Sequence, residues 1–552
     1  MKANSDKSKQ SNKAMHRVLA GVLCGASVLS LVLSLVMPPI SQAIANDAQA
    51  VSAEKTVTGD SSSEPTDVGN TNNGDTKNQI SDDSEDGASE DAAAAGLPSD
   101  DTKVEGDTQP SDAQPADDEN NDENAPATVS ADDYTEVSGN VAEAFTNGGK
   151  FRLTDSAYSN QQIAINKNTT INLAGNMLYN RSGGLDSFFV VEKGATLTIE
   201  DSGKTSGKTI DKQSQVETTA GQSAIMTWEK GNGSSSNGGA PKRLTYYETT
   251  STPNQDGLGT TETTTKHFVT GFGAIDAASD SGSVKYVVNV EAGGILNLKG
   301  GMITTAANLR NNGHVIYSEG TVKIEGGYVT NGSGGGWGGG LCVTGAKASL
   351  NMTNGVIAAN KAASGGGIYA DKGAKLNLSG GVISGNATYD AVYNEGGRCD
   401  NGYGGGVFTK GVNVNISGSA NITNNRVDSY INFENIFHNG LLGGGGIASV
   451  EGGTLTMEGG SVTANYSKEA GGGIYAGSWD KSIEFTMTGG TIAGNKSVNG
   501  EGGGLRIAGG DNSGTMATIN AGENSRIYIT HNKTMTGSNE GRTRSEERRV
   551  GK

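Results

Sequence analysis

The residues best suited to chemistry in this chain gather in two short stretches. Residues 387–403 contain Tyr389, Tyr393, Glu395, Arg398, Asp400 and Tyr403, and residues 426–442 contain Arg426, Asp428, Tyr430, Phe433, Glu434, Phe437 and His438. The chain is only 5% aromatic, so this local density is a signal. Flat rings beside carboxylates and arginine can stack on sugar rings and hydrogen-bond their hydroxyls, and insertions in repeat proteins often carry the binding face. The competing reading is that Phe433, Ile436 and Phe437 only pack the stretches onto the layer beneath. Clustered carboxylates are also what cleavage of a glycosidic bond requires, and Glu395, Asp400, Asp428 and Glu434 would then be the acids. The five histidines, His16, His267, His314, His438 and His531, are scattered without HxxxH or HExxH spacing. That argues against a metal or histidine-centred site.

Both stretches are insertions in a repeat. From Gly338 to Asn532 the chain restates one unit: a glycine triplet, an apolar pair, a short alternating segment, a GG or NG turn, and an apolar-x-x-Asn ending. The copies are GGGLCV to IAAN, GGGIYA to ISGN, GGGVFT to ITNN, GGGIAS to VTAN and GGGIYA to IAGN, with a looser sixth from GGGLRI to Asn532. Triplets start 27 residues apart from 338 to 365 and again from 444 to 471. Elsewhere insertions between the Asn and the next triplet lengthen the unit. A period of this size marks a solenoid. Leu376 and Leu378 alternate with polar residues, as do Leu350/Met352, Val414/Ile416, Leu455/Met457 and Phe485/Met487, which is strand patterning. The unit therefore reads as one coil of a parallel β-helix. Ile357, Ile383, Ile422, Val462 and Ile492 would stack as an interior column. Asn360, Asn386, Asn425, Asn465 and Asn495 would stack beside it, amide on amide. Two consecutive long insertions must then leave the same edge side by side. Tyr317, Tyr369, Phe408 and Tyr475 would form an outer stripe, broken by Cys342, Ala448 and Arg506.

The GGG[IVL][YF] and [IV]xxN motifs over roughly residues 290–532 resemble the repeats of chlamydial polymorphic membrane proteins and related bacterial β-helix surface adhesins. Here Ile or Val stands where that family's ending carries Phe. The resemblance implies a right-handed, single-stranded parallel β-helix of the pectate-lyase-like kind, and a role at a surface. With the strands before the repeats (Ile163/Ile165, Ile171/Leu173, Phe189/Val191, Leu197/Ile199, Val288/Val290, Leu296/Leu298, Val322/Ile324), about ten coils are expected. At ~4.8 Å per coil, their length is roughly 45–50 Å. Val137, Val141, Ala142 and Phe145 have helical spacing and predict a short capping helix, stopped at Asn147-Gly148-Gly149. Residues 202–276 are Ser-, Thr- and Gly-rich around Trp228, Tyr246 and Tyr247, and read as an excursion, in form a hairpin.

The rest of the chain sets the context. Residues 1–17 carry five basic side chains, the run 18–37 is apolar, and Ala43-Ile44-Ala45 closes a secretory signal cleaved after Ala45. A retained membrane anchor is the competing reading. Residues 46–131 are acidic and nearly devoid of aromatic or branched apolar side chains, the composition of a disordered spacer. The net charge of −18 is carried largely there. It disfavours nucleic acid and anionic membranes as partners. Residues 132–540 would be the β-helix domain. Residues 544–552 resemble a translated sequencing-library adapter, and the natural C-terminus with any envelope anchor would then be expected outside this sequence.

No cofactor or metal is expected. No GK[ST] or helix start follows the glycine triplets, so they are not phosphate loops. They also lack the aspartate of calcium-binding nonapeptides. Cys342 and Cys399 could pair after secretion or stay as two thiols. No NTD…DD…GHG…RxK series of the polygalacturonase kind is present. The expected function is that of a secreted or cell-surface adhesin, binding a host or matrix glycan or a surface protein through its loops. The alternative is a polysaccharide lyase or glycoside hydrolase on the same scaffold.

Overall fold

The structure is a computed structural model. It describes residues 133–203, 220–228, 241–277, 284–306, 309, 313–393, 401–431, 442–478, 481–509, 514–523, 525–535 and 543–545. The signal and spacer expected over 1–131 lie outside these residues, as does Cys399. The described residues contain strands and turns and no helix. The strands build long parallel sheets compatible with a β-solenoid.

Each repeat contributes strands in a fixed order. In one copy they are Ile368–Asp371, Lys375–Leu378, Val382–Ser384 and the two-residue Ala387–Thr388. The next copy lays Val407–Lys410, Asn413–Ile416, Asn421–Thr423 and Arg426–Val427 in parallel on them. The six strands after the triplets join four earlier ones in a ten-stranded sheet. The alternating and isoleucine strands share a 22-stranded sheet. They are joined because the long strand Gly149–Ser159 pairs with both Thr169–Asn172 and Met177–Asn180. The short strands form a narrow fourth face, the edge sheet.

Alternation decides what faces inward. Leu376 and Leu378 are buried while Lys375 and Asn377 are exposed. Equivalent side chains then stack: Ile357, Ile383, Ile422, Val462 and Ile492 are successive partners, each at most 2% exposed. β-Branched residues pack well on such a pleated wall. Burying one such side chain contributes about 1.5–3 kcal/mol.

The asparagines close the corner beside this column. The Nδ2 of Asn360, Asn386, Asn425, Asn465 and Asn495 each donates to the Oδ1 of the next, at 2.9, 2.9, 3.1, 3.0 and 2.9 Å, ending on Asn532. The second Nδ2 hydrogen goes back one coil, as from Asn425 to the Ile383 carbonyl at 2.8 Å. Each receiving Oδ1 also takes a backbone N–H, as Asn425 does from Asn386 at 3.1 Å. Both polar ends of the buried amide are thus fully used, which is the condition for burying it.

The triplet answers the same corner. At Gly404 φ is +58°, a left-handed turn that glycine adopts at least cost. A Cβ on Gly405 would lie 2.4 Å from the Arg426 carbonyl oxygen, and one on Gly406 would lie 2.9 Å from Asn425 Cγ. The third glycine is therefore the space into which the asparagine amide fits.

Two expectations change. The capping helix over Val137–Phe145 is absent: Val137 lies in the strand Thr135–Asn140, paired in parallel with Gly149–Ser159. Residues 142–147 are turns closed by i→i+3 bonds, Ala144 N to Val141 O at 3.1 Å and Gly148 N to Phe145 O at 3.1 Å. Only a few residues separate the Asn140 side chain, which accepts from Ala142 N at 3.1 Å, from Gly148. That is too short a run to offset helix nucleation. Val141 and Phe145 still cover the core, each 1% exposed. The excursion, for its part, ends before Ala274–Asp276, which rejoins the stack between Met177–Tyr179 and Met302–Thr304. It is a three-stranded antiparallel sheet of Ile225–Trp228, Pro241–Pro253 and Thr260–Val269.

This sheet is docked on the solenoid. The Thr249 carbonyl accepts from Asn421 Nδ2 at 3.2 Å and from Thr463 Oγ1 at 2.7 Å. Thr249 N donates to Thr423 Oγ1 at 3.1 Å, and Ser384 Oγ donates to the Tyr247 carbonyl. Three coils are thereby strapped together. At the end of the described chain, Thr543–Ser545 pairs antiparallel with Lys533–Met535.

Candidate functional site

The two insertions do emerge together. Val392–Tyr393 pairs in parallel with Tyr430–Ile431, and Tyr430 N donates to the Ala391 carbonyl at 3.0 Å. The coils beneath set this register, because Ala387 already partners Arg426 in the edge sheet. Tyr393 is described by its backbone alone. Glu395, Arg398, Asp400, Phe433, Glu434, Phe437 and His438 lie outside the described residues, so the acids of the glycan-cleaving alternative are represented by Asp428 only.

Tyr389, Arg426, Asp428 and Tyr430 gather on the edge-sheet side. The Arg426 guanidinium holds Asp428 Oδ1 through Nη2 at 2.6 Å and Nε at 2.9 Å. It also lies 5.5 Å from the Tyr466 ring centroid. Lys468 bonds Asp390 at 2.7 Å and sits 5.3 Å from the Tyr430 ring. Lys361 sits 5.3 Å from the Tyr389 ring. Tyr389 is also an anchor. Its hydroxyl donates to the Gly334 carbonyl at 3.1 Å and meets Ser333 Oγ at 3.0 Å, and burial pushes its phenol up. The pattern is three rings, each with a cation within 6 Å of its centroid, a favourable electrostatic contact.

Tyr403 goes elsewhere. Its ring stacks on Phe408 at 5.2 Å in the outer column of the triplet sheet. Tyr369, Phe408 and Tyr475 do point outward, yet each is at most 4% exposed, because Trp337 and Tyr403 lie over them. Burial pushes the Tyr475 phenol up to about 12. Cys342 in this column is a free, buried thiol. This column is packing.

Four contributors were not singled out from the sequence: Lys361, Tyr466, Lys468 and Lys496. Three of them directly follow a ladder asparagine, with a small residue next (Ala362, Ser467, Ser497) that points inward. That outward–inward pair is their signal. A cleft of about 350 Å³ near the first coils, lined by Gly149, Lys150, Asn168, Thr169, Thr170, Thr196 and Thr198, holds no acid–base pair. Among the described residues no cluster of His, Cys, Asp or Glu has the makings of a metal site. Comparison with family models, with curated proteins and with solved structures gives no match.

Proposed function

We propose that this chain is a secreted or surface-attached adhesin. Its 132–540 region would be a right-handed parallel β-helix of about ten coils, held off the cell by the acidic 46–131 spacer. It binds host or matrix carbohydrate through the paired insertions. The observation that carries this reading is the pairing of Val392–Tyr393 with Tyr430–Ile431, which brings the insertions together on the edge where Lys361 meets the Tyr389 ring and Lys468 the Tyr430 ring. Rings with adjacent cations and acceptors are the equipment for stacking on a sugar and bonding its hydroxyls. Asp428 Oδ1 is engaged by Arg426, which suits a positioning role better than proton transfer.

The test is a glycan-array screen of the full chain, run with a reducing-sugar release assay on the same polysaccharides. Binding without release, lost when residues 394–400 and 432–441 are replaced by short Gly-Ser turns, is the expected result. Release of oligosaccharide would transfer the assignment to a lyase or hydrolase.

A further inference from the structure

The edge sheet carries a column that the insertions do not account for. Lys361, Ala387, Arg426, Tyr466, Lys496 and Lys533 are successive register partners on six adjacent coils. The next residues, Ala362, Thr388, Val427, Ser467, Ser497 and Thr534, are all buried. The column itself therefore faces out. Lys361 and Lys533 are exposed, and Arg426, Tyr466 and Lys496 are half-buried. Lys361, Lys496 and Lys533 make no ion pair with a described residue. Lys496 and Arg426 approach the Tyr466 ring from the coils on either side, at 6.0 and 5.5 Å.

The column has neighbours. On one flank the backbone of Gly221 lies against Tyr466 and Arg426, its N–H bonded to the Ala464 carbonyl at 2.7 Å. On the other flank stand the paired insertions, with Tyr430 and Lys468. The result is an outward column of cations around one flat ring, bordered at Tyr466 by Gly221 and beyond it by Tyr430 and Lys468, in a chain whose net charge is −18.

We propose that this column is a binding track for a linear polysaccharide bearing carboxylate or sulfate groups. The proposal rests on the glycan-binding reading above and names its substrate class. Lys496 and Lys533 lie on adjacent coils and Lys361 four coils from Lys496, about 5 and 20 Å, with Arg426 between them sharing its charge with Asp428, so an extended chain with one anion per residue or per disaccharide spans them all. Single-stranded nucleic acid needs a stacking ring for successive bases. The track offers one central ring, too few for a run of stacked bases.

The experiment measures binding of the full chain to polygalacturonate and to heparin, with dextran as the neutral comparison, across a salt series. The variants are Lys361→Ala/Lys496→Ala/Lys533→Ala and Tyr466→Ala. The expected result is binding to one or both acidic chains that weakens with salt and falls at least tenfold in the triple variant. The fold is checked by an unchanged melting temperature. Acidic-chain binding that survives the triple variant but is lost on trimming the insertions overturns the track and leaves the adhesin reading standing. Binding to neutral glycans alone, or no glycan binding at all, also overturns the track. So does competition by oligo-dT at equal concentration.

Discussion

Replacing Asn425 by alanine removes one rung of the asparagine ladder and tests whether the ladder carries stability. The side chain makes four hydrogen bonds: to Asn465 Oδ1, to the Ile383 carbonyl, and from the N–H and amide of Asn386. At about 1 kcal/mol net for each, their loss costs about 4 kcal/mol. The figure does not fall on relaxation, because the Asn386 N–H and the Ile383 carbonyl are left buried without Asn425. Asn377→Ala is the control. It removes the same group from an exposed pair with Asn351 at 2.8 Å and should cost under about 0.5 kcal/mol. Urea unfolding supplies the difference, and amide hydrogen exchange locates it. Protection at Asn386 should collapse, while that at Asn495, two rungs away, should hold, since solenoid coils couple to their neighbours. A further variant, Asn425→Asp, gives a sign. Its buried carboxylate can accept from Asn386 but cannot donate to Ile383, so the neutral form is favoured and its folded pKa rises above the unfolded value of about 3.9. Stability is then retained at low pH and lost as pH rises through the folded pKa. If Asn425→Ala costs no more than Asn377→Ala, the ladder is decoration and the reasoning is wrong.

Two further predictions follow from titratable groups. Burial holds His314 down to about 4, against the pull of the Gly338 carbonyl, to which Nδ1–H donates at 2.7 Å. Between pH 6.5 and about 4 only the unfolded chain takes up this proton, so stability falls with pH in that window, by about 3 kcal/mol in all. His314→Gln should flatten that limb of a urea-midpoint profile. Burial, with Asp371 next, pushes the Cys342 thiol well above its ordinary range. It should therefore resist a thiol reagent at pH 8 in the native protein and react within minutes in denaturant, and prompt native labelling would show that the outer column is open.

The parts of the fold legible in the sequence are those where one residue suffices to mark a position. Ile383 recurs as Ile422 and Val462, Leu376 alternates with Asn377, and Asn386 ends its unit as Asn425 does, so register and inward face could be read from spacing. The edge sheet was harder to read, since Lys361–Ala362 is two residues long and its one signal is a small inward residue two places after the ladder asparagine. The docking of the excursion was equally hidden. Thr249 and Thr463 meet across 214 residues, and no local pattern encodes that. The helical spacing of Val137, Val141 and Phe145 was real but served a strand end and the turns after it. In the site, the composition of the insertions pointed to Tyr389, Arg426, Asp428 and Tyr430. It also drew in Tyr403, whose place before a glycine triplet commits it to Phe408.

The asparagine ladder has one more consequence. In every rung the N–H points toward the later coil and the carbonyl toward the earlier one, so the amide dipoles add head to tail and polarise one another. A coil's donor is satisfied only when its successor arrives. The array is therefore polar along the stack: each amide offers a donor to the coil after it and an acceptor to the coil before it.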